Sequence, residues 1–326
     1  MYIPTFKDVL EARERIKPYI HATPVVTSRY FSQLTGAELF FKCENFQKTG
    51  AFKARGAANA VFSLSDEQAG KGVATHSSGN HAAALSYAAG CRGIQATVVM
   101  PRNAPEAKKT AVRGYGGRIL ECGPTTAERE TMLEALVEET GAHFVHPYND
   151  HRVIAGQATC AHELHEQAGS LDAVVAPVGG GGLISGTCLS LSEVSPDTRV
   201  YAAEPENADD ARRSLRAGRL IGEGTPVTVA DGLKTGLRPR TWHFVSRHVT
   251  DVLCATEDEI IHAMHLIWQR MKIVVEPSSS VPLATILNNR ALFAGKRVGV
   301  LISGGNVSLR KLPWMNNGSE SFKPGR

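Results

Sequence analysis

Short apolar runs alternate with longer mixed stretches between residues 72 and 140. The apolar runs predict strands, and the stretches that follow them predict helices. Strands and helices that alternate in this way are typical of βαβ units and of a parallel sheet. In chain order the predicted elements are strand 72–75, helix 82–89, strand 96–100, helix 105–115, strand 118–120 and helix 126–140.

A second series of apolar runs predicts strands at 39–43, 173–177, 200–203 and 297–302. Several of these runs are almost continuously apolar, as expected for strands whose two faces are both covered by helices. We therefore expect an α/β protein with two doubly wound domains, which binds its ligands where the strands end. The expected boundaries are 1–71 with 150–326 for a large domain and 72–149 for a small domain.

Composition and charge narrow the class of protein. The 326 residues are enough to bury a substantial core, and the 31 glycines suit an enzyme whose backbone approaches its ligands. The net charge of +4 is spread without a basic run, so we expect a small-molecule ligand and no nucleic acid. The six cysteines form no Cys-x-x-Cys pair and predict free thiols.

The sequence contains no stretch that resembles a secretory signal or a membrane span, which predicts a cytoplasmic protein. The polar residues 316–326 predict a mobile tail.

Four consecutive glycines at 179–182 lie between the strand predicted at 173–177 and a helix that begins near Leu183. Backbone N–H groups without neighbouring side chains can converge on an anion, and the helix dipole adds to the attraction. This pattern predicts a phosphate site. Glu204 ends the next strand, where a dinucleotide enzyme places its ribose-binding acid, but no G-x-G-x-x-G or Walker A spacing is present in the glycine loop.

Lys53 follows an aromatic residue, Phe52, and precedes a segment rich in alanine. A lysine at the start of such a helix can lie in a partly apolar pocket, where desolvation lowers the pKa of its ammonium group. An unprotonated amine is what a covalent bond to a carbonyl cofactor requires. Lys53 is therefore a candidate cofactor-bearing residue, and a solvated surface lysine is the alternative.

Two further motifs directly follow predicted strands. Residues 77–81, Ser-Ser-Gly-Asn-His, join a strand to an alanine-rich helix, and Ser303-Gly304-Gly305-Asn306 follows the strand at 297–302. Hydroxyl groups, an amide and free backbone N–H groups at a helix start can bind a carboxylate and a ring oxygen. A helix cap with a buried histidine is the alternative interpretation of residues 77–81.

Taken together, these motifs resemble those of the pyridoxal-phosphate (PLP) enzymes of the tryptophan-synthase-β fold type, fold type II. Within that group the chain resembles the serine/threonine dehydratase and serine racemase family, which includes 3-hydroxyaspartate dehydratases. The similarity extends over residues 23–306, and the motifs occur in the family's order. The resemblance implies two α/β domains, bound PLP and a homodimer.

The resemblance also assigns roles to residues. Lys53 would carry PLP, and Ser78 would move a proton on the face opposite Lys53. The residues expected to bind the cofactor are Phe52, Lys53, Asn80, Gly179, Gly180, Gly181, Gly182, Leu183 and Ser303. The residues expected to bind the substrate are Ser77, Ser78, Asn80, His81 and Arg129.

The activity implied by the resemblance is that of an ammonia-lyase, which converts a β-hydroxy amino acid such as L-serine or L-threonine to a 2-oxo acid and ammonia. With Lys53 and Ser78 on opposite faces, the same site could also racemise serine. A 3-hydroxyaspartate dehydratase is the alternative enzyme, and Arg129 would then hold a second carboxylate. A non-catalytic amino-acid-binding protein of the same fold is the alternative from a different class.

The resemblance implies a cation site in the acidic segment after the strand at 200–203. In the racemase-like branch its ligands would be Glu204, the carbonyl oxygen of Ala208, and Asp210. Oxygen ligands of this kind suit Mg²⁺, Ca²⁺ or Mn²⁺. A solvated acidic loop is the alternative.

Overall fold

The computed structural model describes residues 1–222, 224, 226–309 and 312–315. The tail predicted over residues 316–326 lies outside the described residues. The helices are α1 Phe6–Ile16, α2 Arg29–Thr35, α3 Lys53–Phe62, α4 Asp66–Gly70, α5 Asn80–Arg92, α6 Glu106–Gly114, α7 Thr126–Thr140, α8 His151–Ala168, α9 Gly182–Val194, α10 Asp210–Ala217, α11 Pro239–His248, α12 Glu257–Met271, α13 Pro277–Asn288 and α14 Arg290–Phe293. The strands are β1 Val25–Thr27, β2 Glu38–Cys43, β3 Val73–His76, β4 Ala96–Pro101, β5 Arg118–Cys122, β6 His143–Phe144, β7 Ala173–Pro177, β8 Arg199–Pro205, β9 Val249–Ala255 and β10 Arg297–Ile302.

The strands form two sheets. The larger sheet has six strands in the order β1-β2-β10-β7-β8-β9, and the smaller has four in the order β5-β4-β3-β6. All neighbouring strands are parallel except β1 and β2, which are antiparallel. Parallel neighbours require crossover connections, and helices provide them here. The predicted α/β architecture with two parallel sheets is therefore confirmed.

Buried apolar side chains cover both faces of the larger sheet. Leu39, Phe41 and Val175 belong to the cluster on one face, whereas Phe40 and Val174 belong to the cluster on the other. Neighbouring residues of one strand point to opposite faces, so both faces of β2 and β7 are buried. This explains why these strands are almost continuously apolar in the sequence.

Helix α3 packs against both α5 and α8. The contact with α8 is close, because a Cβ atom added to Gly156 would lie 2.6 Å from the carbonyl oxygen of Arg55. Arg55 is itself buried and donates to both carboxylate oxygens of Glu44, each at 2.8 Å. A buried ion pair with these hydrogen bonds is geometrically demanding, so the first turn of α3 is held in one position.

The sequence pattern predicted most core strands at the correct place, whereas the ends of the elements were predicted less accurately. Helix α5 begins at Asn80, two residues before the expected start, because the Ser-Ser-Gly turn ends there. The short strands β1 and β6 and the seven-residue strand β9 were not predicted. The expected domain boundaries at residues 71 and 150 stay a prediction. Among the described residues no helix is long and apolar enough to span a bilayer.

Candidate active site

A cavity of about 250 Å³ lies where strands of both sheets end. Its walls include His76 at the end of β3, Pro177 at the end of β7 and Ser303 after β10. The structure brings together every residue that was expected to contact cofactor or substrate. The residues concerned are Phe52, Lys53, Ser77, Ser78, Asn80, His81, Arg129, Gly179, Gly180, Gly181, Gly182, Leu183 and Ser303.

Lys53 is the first residue of α3, and its side chain is partly buried in the cavity wall. The Nζ atom donates to the carbonyl oxygen of Pro147 at 2.9 Å and lies 5.1 Å from the ring centroid of Phe52. Desolvation lowers the pKa of Lys53 to about 8, although the charge of Glu276 opposes this shift. A substantial neutral fraction therefore exists close to physiological pH, as nucleophilic and base chemistry require.

The start of α3 is tied to the end of β10. The backbone N–H of Phe52 donates to the carbonyl oxygen of Ser303 at 3.0 Å, and the N–H of Gly305 donates to the carbonyl oxygen of Gly50 at 2.9 Å. Ala51 forms a β-bridge with Gly304 in the same place. These contacts explain how two motifs far apart in the sequence, at residues 53 and 303, come to line one cavity.

The four glycines form the turn between β7 and α9. Gly181 has a φ of 87°, which is a left-handed conformation, and it precedes the first helical residue. A Cβ atom on Gly180 would lie 2.4 Å from the ring of Tyr148. The first N–H groups of a helix have no acceptor inside the helix, and a glycine cap supplies no side chain to satisfy them. The loop therefore offers backbone donors to an anion in the cavity.

The segment 77–81 forms the turn between β3 and α5. Its Gly79 N–H donates to the hydroxyl of Ser77 at 3.3 Å. His81 is buried, and its Nε2 lies 3.2 Å from the carbonyl oxygen of Val145, which assigns the ring proton to Nε2. Burial, and then the charge of Lys53, lowers the pKa of His81 well below its ordinary value, so the ring stays neutral. Its Nδ1 atom is buried without a hydrogen-bond partner among the described residues.

Asn80 contacts two residues that come from distant parts of the chain. Its Nδ2 donates to Oε1 of Glu276 at 2.9 Å, and its Oδ1 accepts from Asn306 at 2.9 Å. Burial, and then the charge of Asp231, raises the pKa of Glu276 to about 7. Sequence reasoning missed Glu276. The Glu276-Pro277 start of α13 was a local signal that could have placed this carboxyl at a helix start.

The hydroxyl of Ser303 is buried and lies 3.0 Å from the hydroxyl of Ser279. Ser279 also donates to the carbonyl oxygen of Gly304 at 2.6 Å and accepts from its N–H at 2.7 Å. These contacts fix the orientation of Ser279. Ser303 therefore presents its remaining hydrogen-bonding capacity to the cavity that it lines.

Comparison with known proteins decides the family. The profile described as "Pyridoxal-phosphate dependent enzyme" matches residues 16–304. The chain belongs to this family. A "beta-hydroxyaspartate dehydratase" from Paracoccus denitrificans (strain Pd 1222) is 65% identical over 314 residues, which are 96% of this chain and 100% of that protein. A "Serine racemase" from Dictyostelium discoideum is 48% identical over 312 residues, 94% of this chain and 96% of the relative.

The crystal structure of serine racemase from Dictyostelium discoideum has the same fold. Its TM-score with this chain is 0.90 at 48% identity, and the match covers 94% of this chain and 99% of that one. The predicted family and fold type are thus confirmed. As in any PLP enzyme, the site must hold a phosphate and a ring, and must provide an amine for covalent attachment. The backbone donors of the glycine loop suit the phosphate, and Phe52 and Ser303 line the space for the ring. Lys53, with its lowered pKa, provides the amine.

The cavity of this PLP enzyme has further polar residues that sequence reasoning missed. His146 accepts from the backbone N–H groups of Tyr148 at 3.3 Å and Asn149 at 3.0 Å through its Nδ1 atom. Burial, followed by nearby positive groups, lowers the pKa of His146 to about 3. Lys108 donates to Asp231 at 2.6 Å, which joins α6 to the loop before α11. These residues lie outside any motif, and only the tertiary structure brings them to the cavity.

The expected cation ligands lie together at the end of β8 and do not line the cavity. Glu204 is buried, and its two oxygens accept from the N–H groups of Ala211 and Arg212, each at 3.0 Å. Burial, and then the negative charge of Asp210, raises the pKa of Glu204 well above its ordinary value. Oxygen atoms of buried carboxyl groups such as Glu204 and Asp210 are of the kind that a hard cation binds. The described residues contain no cluster of three or more His, Cys, Asp or Glu side chains that could hold a metal.

Proposed function

We propose that this chain is a PLP-dependent ammonia-lyase for β-hydroxy amino acids and that 3-hydroxyaspartate is its preferred substrate. The observation that carries the reaction class is Lys53, whose amine has a pKa lowered to about 8 in the cavity lined by the glycine loop and Ser303. The 65% identity to a protein named beta-hydroxyaspartate dehydratase supports the substrate. L-Serine and L-threonine are the expected poorer substrates.

Some residues of the cavity would bind the cofactor, and others would transfer protons. PLP, when bound, supplies an electron sink that allows the Cα proton of an amino acid to leave. The N–H groups of residues 179–183 would hold its phosphate, and Phe52 would pack against its ring. The hydroxyl oxygen of Ser303 would face the ring nitrogen. The amine of Lys53, partly neutral near pH 8, would remove the Cα proton.

The start of α5 is the proposed site of the substrate's α-carboxylate. Its first N–H groups have no acceptor inside the helix, and Ser77 and Ser78 lie beside them in the cavity wall. Loss of the β-hydroxyl with the Cα proton, followed by hydrolysis, converts 3-hydroxyaspartate to oxaloacetate and ammonium. His81 is held neutral at this helix start, so it adds no charge beside the carboxylate.

Racemisation of serine is a second proposed activity. Ser78 and Lys53 belong to different elements, the β3–α5 turn and the start of α3, and both line the cavity. A racemase needs two proton-transfer groups, one for each face of Cα. The 48% identity to a protein named serine racemase supports this assignment.

Four further properties belong to the proposal. Mg²⁺, or Ca²⁺ or Mn²⁺, is assigned to Glu204, Ala208 and Asp210, because the two carboxyl groups are buried close together. A homodimer and a cytoplasmic location rest on the family resemblance and on the sequence pattern. The division into 1–71 with 150–326 and 72–149 rests on the four strands of the smaller sheet, all of which lie between residues 73 and 144.

The deciding experiment is a visible spectrum of the purified protein, followed by addition of 3-hydroxyaspartate, L-serine and L-threonine with measurement of 2-oxo acid release. We expect a yellow protein that turns over 3-hydroxyaspartate with the highest kcat/KM. Lys53→Ala should lose the covalently bound cofactor spectrum and about a thousandfold or more of turnover, whereas Lys7→Ala, an exposed control, should retain both. A colourless protein that takes up no PLP, or full turnover by Lys53→Ala, would contradict the proposal.

A further inference from the structure

The segment 146–149 joins β6 to α8 and lies beside the amine of Lys53. Strand β6 ends at Phe144, and α8 begins at His151. Within the segment, the carbonyl oxygen of Pro147 accepts a hydrogen bond from Nζ of Lys53 at 2.9 Å. Pro147 also lines the cavity. The segment therefore provides a backbone acceptor for the amine that is proposed to transfer protons.

The side chain of His146 holds this segment together. Its Nδ1 atom accepts from the backbone N–H groups of Tyr148 at 3.3 Å and Asn149 at 3.0 Å. A ring nitrogen that accepts hydrogen bonds carries no proton, so the ring proton lies on Nε2. Burial, followed by nearby positive groups, lowers the pKa of His146 to about 3, and Nδ1 stays an acceptor at neutral pH. Pro147 lies between the acceptor and its two donors, which fixes the direction of its carbonyl group.

The segment is also held at both of its ends. At one end the backbone N–H of Arg240 donates to Oδ1 of Asn149 at 3.1 Å, and the guanidinium group of Arg240 donates to the carbonyl oxygen of Asn149. At the other end the N–H of Val145 donates to the carbonyl oxygen of Ala74 at 2.9 Å. The backbone around Pro147 therefore has few alternative positions.

Helix α3, which carries Lys53, is fixed against α8. The backbone N–H of Gly56 donates to Oε1 of Gln157 at 3.2 Å, and Nδ2 of Asn59 donates to the carbonyl oxygen of Arg152 at 2.8 Å. These contacts set the distance between the start of α3 and the segment that precedes α8. The side chain of a lysine is a flexible four-carbon chain. An acceptor at its end therefore decides where the amine of Lys53 lies.

An amine that transfers a proton must lie at a fixed place while an amino acid occupies the cofactor. Lys53 is then not joined to PLP, and one hydrogen bond to the carbonyl of Pro147 leaves its lone pair available. We propose that His146 is a positioning residue, which fixes the Pro147 carbonyl as the acceptor that holds the free amine of Lys53 for proton transfer. This inference rests on the proposed function, in which Lys53 removes the Cα proton.

The first test measures displacement of Lys53 in the holoenzyme without dehydration. L-Aspartate has no β-hydroxyl group, so the change of the visible cofactor band during its titration reports how readily an amino acid displaces Lys53 from PLP. The carbonyl of Pro147 stabilises the displaced amine by a hydrogen bond. Because such a bond changes an equilibrium by about three- to tenfold, the L-aspartate concentration at half-change should rise by that factor in His146→Leu.

Two replacements separate the acceptor of His146 from its bulk. His146→Leu keeps much of the volume and removes the acceptor, whereas His146→Asn places an oxygen atom near the position of Nδ1. With 3-hydroxyaspartate, kcat of His146→Leu should fall by about ten- to a hundredfold, and KM should rise by no more than the shift seen with L-aspartate. His146→Asn should keep most of the wild-type displacement and kcat.

A matched control and a second variant complete the design. His262→Leu changes an exposed residue of α12 outside the cavity lining and should behave as wild type. If His146→Leu does not fold, His146→Gln takes its place with the same expectation, because its amide lies one bond further from the backbone than Nδ1.

The outcomes distinguish this inference from the proposed function. Wild-type displacement or wild-type kcat in the folded variant without the acceptor would overturn the role of His146, even in an active lyase. Equal losses in His146→Leu and His146→Asn would also overturn it, because the ring and not its acceptor would then matter. Displacement by L-aspartate that depends on the acceptor, without turnover of any β-hydroxy amino acid, would support the positioning of Lys53 and refute the proposed lyase activity.

Discussion

The side-chain amide of Asn80 donates to both carboxylate oxygens of Glu276, at 2.9 Å to Oε1 and at 3.2 Å to Oε2. Asn80 begins α5 beside the smaller sheet, and Glu276 precedes α13 beside the larger one. The contact therefore joins elements that pack on different sheets, at the wall of the cavity. It also places an acid with a strongly raised pKa next to a residue expected to bind the cofactor.

Glu276 should make the stability of the protein depend on pH. Its pKa is about 7 in the fold against an ordinary value of 4.5, so between these values the folded protein holds a proton that the unfolded chain has released. Stability falls as pH rises through this window. Glu276→Gln removes this dependence and keeps an acceptor for Asn80. Relative to wild type, its free energy of unfolding should therefore rise by up to about 3 kcal/mol between pH 5 and pH 8.

Thermal unfolding of wild type and Glu276→Gln at pH 5, 6, 7 and 8 measures this difference. Glu134→Gln, an exposed substitution on α7, should follow the wild-type curve at every pH. Parallel curves for wild type and Glu276→Gln would show that Glu276 is ionised throughout the range and that burial does not raise its pKa.

Ser78→Ala should separate the two proposed activities. Removal of the hydroxyl deletes the proton-transfer group opposite Lys53, so racemisation of L-serine should fall at least about a hundredfold. Release of the 2-oxo acid from L-serine depends on Lys53 and should fall much less. Chiral chromatography of serine and a 2-oxo acid assay measure both rates in one reaction. Equal losses in the two rates, or a Ser77→Ala control with the same pattern, would argue against Ser78 as the second proton-transfer residue.

Removal of divalent cations should destabilise the protein if Glu204 and Asp210 bind one. Both side chains are buried, and loss of the cation forces protonation or repulsion of their carboxyl groups. A chelator should lower Tm by roughly 3 to 8 °C, and excess Mg²⁺ should restore it. Glu204→Gln should show no response to the chelator. If neither the chelator nor Mg²⁺ changes the Tm of wild type, Glu204 binds no cation and serves only to accept the N–H groups at the start of α10.

The sequence predicted the parts of the site that are local. Lys53 lies in one short motif, the four glycines form another, and Ser303 follows an apolar strand, so local patterns marked each of them as a candidate. Glu276 contacts Asn80 across 196 residues, and no local pattern encodes that distance. Arg238, which also lines the cavity, is similar: it belongs to the segment before α11, which packs on the glycine loop through Thr241 and Gly181. Strand β6 was missed because it has only two residues.

A substitution in the glycine loop tests whether the close contact between Gly180 and Tyr148 matters for stability and for PLP binding. In Gly180→Ala the new methyl would lie 2.4 Å from the ring of Tyr148, which is closer than real Cβ contacts. The loop must then shift, and we expect a loss of about 1 to 3 kcal/mol in stability together with weaker PLP binding, measured by Tm and by cofactor titration. The double variant Gly180→Ala/Tyr148→Ala should regain most of the stability, whereas Gly70→Ala, whose methyl would meet nothing within 4 Å, should resemble wild type. If the double variant gains nothing, the ring of Tyr148 is not what excludes a side chain at position 180.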